Sequence, residues 1–467
     1  MPPSMRSPRR AILLVSLLAT LVTLAAPGGS RLRAAEPIRP ASAPPRQVPP
    51  NDPVRGLIYD GLEPGAGACA GLFAITGTDR CTHGPDPYPP GVGRLSEPAA
   101  PGAGAPWAVA GAADPLANNR CPDDGETGRR IQVLYARAAD VPDRFEAVKE
   151  PLRSIVAGAD EIYALSAADT GGSRNLRLVR EAVGDTCLVK ITPVELSEQG
   201  DDSFGSTIME LQRKGFNRRD RKYLIYMDAR LICGIGTMYQ EPRPDLVNPN
   251  NQGPSYARVD AQCWAPRPSA HELGHTLGAV QDTAPHTTSY GHCVDEYDLL
   301  CYSDAPTYPT MIVLCPDETL NSRLDCGHDD YFHTAPAPGS YLATHWNSAD
   351  NMFLIGAPLA PPLSPLNLQI NDPGPDTLTL AWSDGDEETG YKLRRSTDGG
   401  ATWADLAALP ADAMTFRHSG LACERLVYYQ LTAINAAGES PPAQAAGQTT
   451  RCALSRMSWL PLLAGAP

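Results

Sequence analysis

The sequence lacks a surplus of basic residues, and beyond its N-terminus it lacks long apolar runs. Its 467 residues include 39 Lys and Arg against 53 Asp and Glu, which gives a formal net charge of −14 at pH 7. No nucleic-acid partner is therefore expected, because phosphate binding needs a basic face. No run after residue 35 is apolar enough to cross a bilayer. The acidity favours solubility outside a cell and does not bear on the fold.

Residues 1–35 predict a secretory signal peptide. Arg6, Arg9 and Arg10 precede an apolar run at 11–26 that is too short to favour a stable span. An uncleaved membrane anchor is the open alternative. We expect a secreted, extracellular protein whose 12 cysteines form disulfides. Close spacing predicts the local disulfides Cys69–Cys81, Cys293–Cys301 and Cys315–Cys326 and leaves the other pairings open.

Residues 36–120 are rich in Pro, Gly and Ala, and they predict a linker or pro-segment. A segment with so few apolar residues is not expected to repay its ordering entropy by burying surface. Only residues 71–75 have the composition of a packed stretch. The first folded domain is therefore expected to begin at about residue 121.

An α/β pattern follows over 121–356. Strand-like runs are found at 131–135, 176–179, 188–191 and 223–227, and helical spacing is found from 143 and around 208–211. The order strand, helix, strand, strand, helix, strand predicts a mixed, twisted sheet with helices packed against it. Further extended pieces are expected at 233–239 and 256–264.

The sequence HELGHTLG at 271–278 is the main chemical motif. On a helix, His271 and His275 lie on one face and can bind one metal ion, with Glu272 beside them. A catalytic zinc ion keeps three protein ligands and an open position for water, whose proton a nearby carboxylate accepts. Gly278 is suited to end the helix in a left-handed conformation. The alternative is a surface helix with two solvated histidines.

This order of elements followed by H-E-x-x-H-x-L-G resembles the metzincin metallopeptidases, and within that clan a secreted bacterial subgroup. The resemblance implies an α/β metzincin-like catalytic domain, with a sheet subdomain, a horizontal cleft and a smaller subdomain beneath the zinc. It also implies a zinc cofactor and a protein or peptide substrate.

The third zinc ligand departs from the family pattern, because Gln281 stands where metzincins have the third histidine. We expect His286 to take this role, since a lengthened loop after Gly278 would still lie under the helix end. His292, Gln281 and Asp282 stay open as alternatives, as does a solvated loop histidine at 286.

Residues 298–302 resemble the metzincin Met-turn, with Leu300 in place of methionine. The resemblance implies that Tyr302 is a catalytic residue that stabilises the oxyanion, and a buried structural tyrosine is the alternative. Residues 119–124 loosely resemble the cysteine-switch segment of matrixin pro-domains, although a structural disulfide is favoured for Cys121. Residues 325–330 could hold calcium but lack an EF-hand pattern, and a solvated loop is favoured.

A second composition begins after the Pro-rich stretch 357–365. Period-two patterns at 366–370, 377–382, 391–395 and 427–433 predict an all-β module over 363–450, followed by a tail at 451–467. The module looks like a fibronectin type III sandwich, which implies a spacer or a contact with a cell surface or matrix.

The sequence thus predicts a secreted zinc endopeptidase that hydrolyses peptide bonds by metal-activated water. His271, His275 and His286 are the expected zinc ligands, Glu272 the general base and Tyr302 a second catalytic residue. The alternative is a catalytically inactive extracellular adhesion or binding protein built on the same two modules.

Overall fold

The computed structural model describes residues 46–89, 125–126, 128–304, 307–315, 317–358, 361–383, 388–411 and 413–452. The chain divides into Met1–Ser42 and Ala43–Pro467, and every described residue belongs to the second unit. The signal at 1–35, Cys121 and nearly all of the tail at 451–467 lie outside the described residues. The expectations for them therefore stay predictions.

The first part of the described chain contains strands and three helices that build the sheets and the candidate site. The strands are β1 (Leu62–Pro64), β2 (Phe73–Ile75), β3 (Cys81–Thr82), β4 (Arg130–Ala138), β5 (Asn175–Leu176), β6 (Arg180–Val183), β7 (Thr186–Val189), β8 (Ile191–Leu196), β9 (Arg221–Met227), β10 (Gly234–Gly236) and β11 (Ser255–Asp260). The helices are α1 (Phe145–Asp169), α2 (Phe204–Arg213) and α3 (Pro266–Thr276).

The remaining elements are a one-turn helix and a second set of strands. They are α4 (Tyr341–Thr344), β12 (Leu354–Ile355), β13 (Leu366–Asn371), β14 (Thr377–Ser383), β15 (Gly390–Ser396), β16 (Ala404–Pro410), β17 (Thr415–Ser419), β18 (Leu426–Asn435), β19 (Gly438–Glu439) and β20 (Ala443–Gln448). The molecule therefore contains mixed sheets with few helices, which is the coarse architecture that the sequence predicts.

A five-stranded sheet forms the centre of the first part, in the order β10, β11, β9, β4, β8. The four strands from β11 to β8 are parallel, and only β10, at one edge, runs antiparallel to its neighbour. All seven residues of β9 are buried, as expected of a strand covered on both faces. The antiparallel edge strand β10 lies beside the candidate site.

The two faces of this sheet carry separate apolar clusters. On one face, Ile131 and Val133 of β4 pack with α1 and with Leu273 of α3. On the other face, Leu134 and Ala136 of β4 pack with α2. Alternate residues of one strand thus supply both cores, as the period of two requires. The result is a three-layer α/β arrangement that places α3 under the edge of the sheet.

Residues 46–89 differ from the expectation that the 36–120 region cannot bury a core. Here β1, β2 and β3 form a small antiparallel sheet. Leu62, Phe73 and Ile75 from this segment pack in the same cluster as Ile208 and Leu211 of α2. The segment needs no core of its own because it covers an apolar face that the later chain provides. Whether 36–120 acts as a linker or a pro-segment stays a prediction.

The C-terminal part folds into two antiparallel sheets. One has the order β13, β14, β17, and the other β16, β15, β18, β19, with β20 also pairing with β18. Leu380 and Trp382 of the first sheet and Tyr391, Tyr429 and Leu431 of the second share one buried cluster. The period-two pattern in the sequence therefore corresponds to a module of two sheets with its own core.

Disulfide bonds cross-link residues within both parts of the chain. The described pairs are Cys69–Cys81, Cys233–Cys263, Cys293–Cys301, Cys315–Cys326 and Cys423–Cys452. The three predicted local pairs are confirmed, and the spacing had left the other two open. This number of disulfides fits an oxidising, extracellular compartment. Within the described ranges, none of the helices combines the length and the apolarity needed to span a bilayer.

Candidate metal centre

Helix α3 presents two of its histidines on one buried face. It begins at Pro266, where the missing N–H of proline costs nothing, and it ends before Gly278, whose φ of +90° confirms the predicted left-handed stop. The Nε2 atoms of His271 and His275 lie 3.0 Å apart. The four-residue spacing thus brings the two imidazoles together as the motif predicts.

The third imidazole of this group belongs to His292 and not to His286. His292 lies just before Cys293, in a loop held by the disulfide Cys293–Cys301. Its ring centroid is 5.0 Å from that of His275 and 5.4 Å from that of His271. His292 was one of the alternatives that the sequence left open.

The Nδ1 atoms of the three histidines are held by oxygen acceptors outside the group. Nδ1 of His271 is 2.8 Å from the Leu299 carbonyl, and Nδ1 of His275 is 3.0 Å from the Ala279 carbonyl. Nδ1 of His292 is 2.9 Å from the Asp304 carboxylate. These oxygens accept a hydrogen bond from Nδ1–H, and a neutral ring held in this way keeps its Nε2 lone pair for another partner.

Residues 299–302 form the floor and one wall beside these rings. Leu300 is fully buried against Gly274 of α3. The ring of Tyr302 packs on His292 at a centroid distance of 4.2 Å. Its hydroxyl donates a hydrogen bond to Oδ1 of Asp86. Tyr302 therefore lies next to His292, and its hydroxyl has a partner from the N-terminal segment; its catalytic role stays a prediction.

Residues 81–88, here called the covering segment, lie along the edge strand β10. The amide of Asp86 donates to the Gly234 carbonyl at 2.9 Å, and the amide of Met238 donates to the Cys81 carbonyl at 3.0 Å. The two chains are antiparallel at these bridges. Pro85 and Pro87 favour the extended conformation that this pairing needs.

The covering segment inserts two side chains between the histidines of the site. The Asp86 carboxylate lies 3.2 Å from Nε2 of His271 and 3.2 Å from Nε2 of His292. The His83 ring packs on His275 with centroids 3.7 Å apart, and its Nε2 lies 4.0 Å from Glu272. His83 and Asp86 thus complete a buried cluster, here called the first cluster, with His271, Glu272, His275, His292 and Tyr302.

Burial and mutual charge shift the protonation of this cluster. Burial, reinforced by the Asp86 charge, raises the pKa of Glu272 well above its ordinary value. Burial would also raise the pKa of Asp86, but the charges of His271 and His83 outweigh it and hold that pKa well below the usual range. Burial, together with the charge of His83, lowers the pKa of His275. Burial would lower the pKa of His292 as well, but its hydrogen bonds to Asp304 and Asp86 outweigh burial and raise that pKa to about 9. The cluster therefore combines a neutral His275 with a His292 that retains its proton beside the ionised Asp86.

The donor atoms of the first cluster fit a bound metal ion. One ligand atom each from His83, Asp86, His275 and His292 can be chosen within 4.8 Å of one another, and so can one each from Asp86, His271 and Glu272. Oε2 of Glu272 is buried without a hydrogen-bond partner, and Nε2 of His292 and Oδ2 of Asp86 have no partner beyond the 3.2 Å contacts between Asp86 and the two histidines. Buried polar atoms of this kind are costly unless something binds them. Imidazole and carboxylate donors are the ligands that a divalent transition metal uses.

Glu272 is held against the edge strand by a close approach that only glycine permits. A Cβ atom added at Gly234 would lie 1.9 Å from Oε1 of Glu272. A cavity of about 400 Å³ is lined, among others, by Asp86, His271, Glu272, Tyr302 and Arg267. The carboxylate therefore stands between the edge strand and an open space next to the histidines.

The other candidate ligands lie elsewhere. Gln281 uses its amide to bridge the loops, donating to the Gly278 carbonyl at 2.7 Å and accepting from the Glu241 amide at 2.6 Å. Asp282 is buried near Arg46, and burial raises its pKa to about 6. His286 packs against Asp330, with Nδ1 3.1 Å from the carboxylate. None of the three is brought to His271 and His275.

Sequence reasoning missed His83 and Asp86 altogether. Both lie in a stretch that its composition predicts to be irregular, far from the HELGHTLG motif. The one available signal is the sequence Pro-Asp-Pro at 85–87, which places an acid in a stiff, extended chain shortly after a disulfide cysteine. Asp304 could not be predicted as the partner of His292, because nothing in the sequence distinguishes it from other loop acids.

Known structures are similar to only about a fifth of the chain. No protein-family model and no curated protein matches it. The solved structure named FN3tt is 23% identical, covers 20% of this chain and 100% of its own, and has a TM-score of 0.19. The fn3 domain of the human collagen alpha-1(XX) chain is 24% identical, covers 21% of this chain and 93% of its own, and also has a TM-score of 0.19. These neighbours are fibronectin type III domains, and at this coverage they carry no conclusion about the candidate metal centre.

Proposed function

We propose that this protein is a zinc endopeptidase of the metzincin type whose cleft, in this structure, is closed by its own covering segment. The observation that carries the proposal is the convergence of three buried imidazoles, each with its Nδ1 on an oxygen acceptor, beside the buried carboxylate of Glu272. His271, His275 and His292 would hold the metal. Zinc is the proposed metal because imidazole ligands with a neighbouring carboxylate suit its hydrolytic sites.

Zinc, when bound, supplies Lewis acidity, which lowers the pKa of a water molecule and polarises a carbonyl group. Glu272 is the group that would accept the proton of the attacking water and pass it to the leaving amine. Tyr302, whose hydroxyl now donates to Asp86, would donate to the substrate carbonyl oxygen as negative charge develops there. Leu300 keeps the floor of the site dry and apolar.

The substrate would bind as an extended peptide along β10. An edge strand offers unpaired N–H and C=O groups to a further strand, and the covering segment now uses those of Gly234 and Met238. A substrate chain pairing at the same edge would pass over Glu272 and the histidines. The covering segment and a substrate would therefore compete for the same hydrogen bonds, and Asp86 would compete for the metal.

The test uses the full chain with the substitution Asp86→Ala. We expect this variant to bind zinc and to cleave an unfolded protein such as casein faster than the unsubstituted chain does, because the competing carboxylate is gone. Adding Glu272→Gln should lower the cleavage rate by about 10²- to 10⁴-fold, the range typical of a lost general base. The double variant should still bind zinc.

Asp60→Ala is the matched control, because Asp60 is an exposed acid of the same N-terminal segment. It should leave cleavage at the level of the unsubstituted chain. Cleavage by Asp86→Ala that survives Glu272→Gln, or that survives a strong chelator, would contradict the proposed mechanism.

The second candidate is an extracellular binding or adhesion protein without catalysis. The observation that favours it is that His83 and Asp86 lie among the three histidines and Glu272. The same arrangement is expected of a cleft that stays permanently closed. Contact with a cell surface or matrix would then come from the C-terminal module. Zinc binding by Asp86→Ala without cleavage of any peptide in a diverse library would support this candidate over the peptidase.

A further inference from the structure

His286 lies in a second group of metal-ligating side chains, here called the second cluster, formed with Asp295, Asp329 and Asp330. Its Nδ1 lies 3.1 Å from the carboxylate of Asp330, 3.6 Å from that of Asp295 and 3.7 Å from that of Asp329. One ligand atom from each of the four residues can be chosen so that all lie within 4.8 Å of one another. None of the four belongs to the first cluster, so a metal site at the second cluster does not depend on the proposed function.

Two of the four members of the second cluster are buried, and within the described ranges no Lys or Arg accompanies its acids. Asp295 and Asp330 are only 1% and 2% exposed. Oδ1 of Asp295 and Oδ1 of Asp329 are buried atoms with no hydrogen-bond partner. Among the described residues, no Lys or Arg forms an ion pair with these three acids. Three carboxylates beside one imidazole leave an excess of negative charge that a bound cation would offset, because like charges at partly buried positions are unfavourable.

Hydrogen bonds within the loop at 325–330 orient its last two acids, Asp329 and Asp330, toward His286. The carboxylate of Asp325 accepts hydrogen bonds from the amides of Asp329, Asp330, Tyr331 and Phe332, at distances from 2.6 to 3.3 Å. The Asp325 carboxylate therefore stabilises the loop through these hydrogen bonds, and we do not count it among the metal ligands. The sequence favours a solvated loop at 325–330 over a calcium site there, and in the structure Asp329 and Asp330 of this loop lie close to His286 and Asp295 from two other segments.

The backbone at Gly327 and at His286 lies close to the acids of the second cluster. A Cβ atom added at Gly327 would lie 2.7 Å from Oδ1 of Asp329 and 3.5 Å from Oδ2 of Asp295. The amide of His286 donates to Oδ1 of Asp330 at 2.8 Å, which ties the two loops together.

We propose that His286, Asp295, Asp329 and Asp330 bind a second divalent metal ion, with zinc preferred over calcium. Four ligands of mixed nitrogen and oxygen type match the number and kind that zinc takes, whereas calcium takes six to eight oxygens. The ion would join the loop that follows α3 to the loop at 325–330. It would thereby hold the segment that carries His292 in its place.

The test counts metal ions in the full chain after chelation and re-addition of zinc. We expect two equivalents in the unsubstituted chain, one in Asp295→Asn/Asp330→Asn, and one in His275→Ala, which loses only the first cluster. Asp329→Asn should weaken one equivalent by more than about tenfold without disturbing the fold, because its side chain is 47% exposed. Glu296→Gln, the acid next to Asp295, is the matched control and should keep two.

Separate additions of zinc and calcium distinguish the two ions. Zinc, and not calcium, should raise the temperature of unfolding in the His275→Ala chain, and this rise should vanish when Asp295 is also replaced. Two zinc equivalents in Asp295→Asn/Asp330→Asn would overturn the site. Binding of calcium without zinc at these residues would overturn the assignment of the ion. Loss of both equivalents in His275→Ala would show that the two clusters are not separate, again against the proposal.

Discussion

The three histidines of the first cluster owe their orientation to different kinds of partner. His271 and His275 are held by the carbonyls of Leu299 and Ala279, which any residue at those positions would provide. His292 instead depends on the side chain of Asp304, which also accepts a hydrogen bond from Thr288 at 2.8 Å. His292 is therefore the ligand whose placement depends most on particular side chains.

We expect His292→Ala to lower the zinc affinity of the first cluster at least about 100-fold, because loss of a direct ligand costs more than loss of its outer partner. Asp304→Asn should lower it about 10- to 100-fold. Equilibrium dialysis against zinc measures this in chains that also carry Asp295→Asn/Asp330→Asn. His345→Ala, at a histidine outside both clusters, serves as the control. A loss of first-cluster zinc in His286→Ala but not in His292→Ala would contradict the assignment.

At the scale of elements, the sequence predicts well those segments that carry their own pattern. Helix α3 follows from the spacing of its histidines and Gly278, and β9 follows from five consecutive apolar or aromatic residues at 223–227. Strand β10 is Gly-Ile-Gly and has no pattern, since it is defined by its pairing with β11. The choice of His292 over His286 depends on how the loop after α3 turns back, which spacing alone does not fix.

The turn between β15 and β16 allows a prediction about pH. The carboxylate of Asp398 accepts hydrogen bonds from the hydroxyls of Ser396 and Thr402 and from the Thr402 amide, and these bonds hold its pKa below the ordinary value. The unfolded chain therefore binds the proton more readily, and the contribution to stability is present at neutral pH and lost as pH falls below about 4.

Asp398→Ala should accordingly lower the unfolding temperature of the C-terminal module at pH 7. The difference from the unsubstituted chain should shrink as the pH falls through the lowered pKa of Asp398. Calorimetry of the full chain at several pH values measures both effects. Asp376→Ala, at an exposed acid of the same module, is the control. An equal effect of Asp398→Ala at pH 7 and at pH 2 would contradict the assigned role of the carboxylate.

For the molecule as a whole, the N-terminal segment at 46–89 has two distinct attachments. Its covering segment places Asp86 against His271 and His292, while Leu62, Phe73 and Ile75 are buried in the core against α2. The two cysteines in 46–89 pair with each other, so no disulfide ties this segment to the rest of the chain. The apolar contacts thus anchor the segment, and Asp86 closes the site.

A single cut between residues 90 and 120 should therefore leave the two pieces associated. Each fully buried apolar side chain contributes roughly 1.5–3 kcal/mol, so the three anchors alone oppose release by several kcal/mol. We expect the pieces to elute together in size-exclusion chromatography, with little cleavage of casein. Replacing Phe73 by Ala should speed the loss of the N-terminal piece and the onset of cleavage, whereas Asp60→Ala should not. Full activity immediately after the cut, with both pieces still associated, would show that the segment does not block the site.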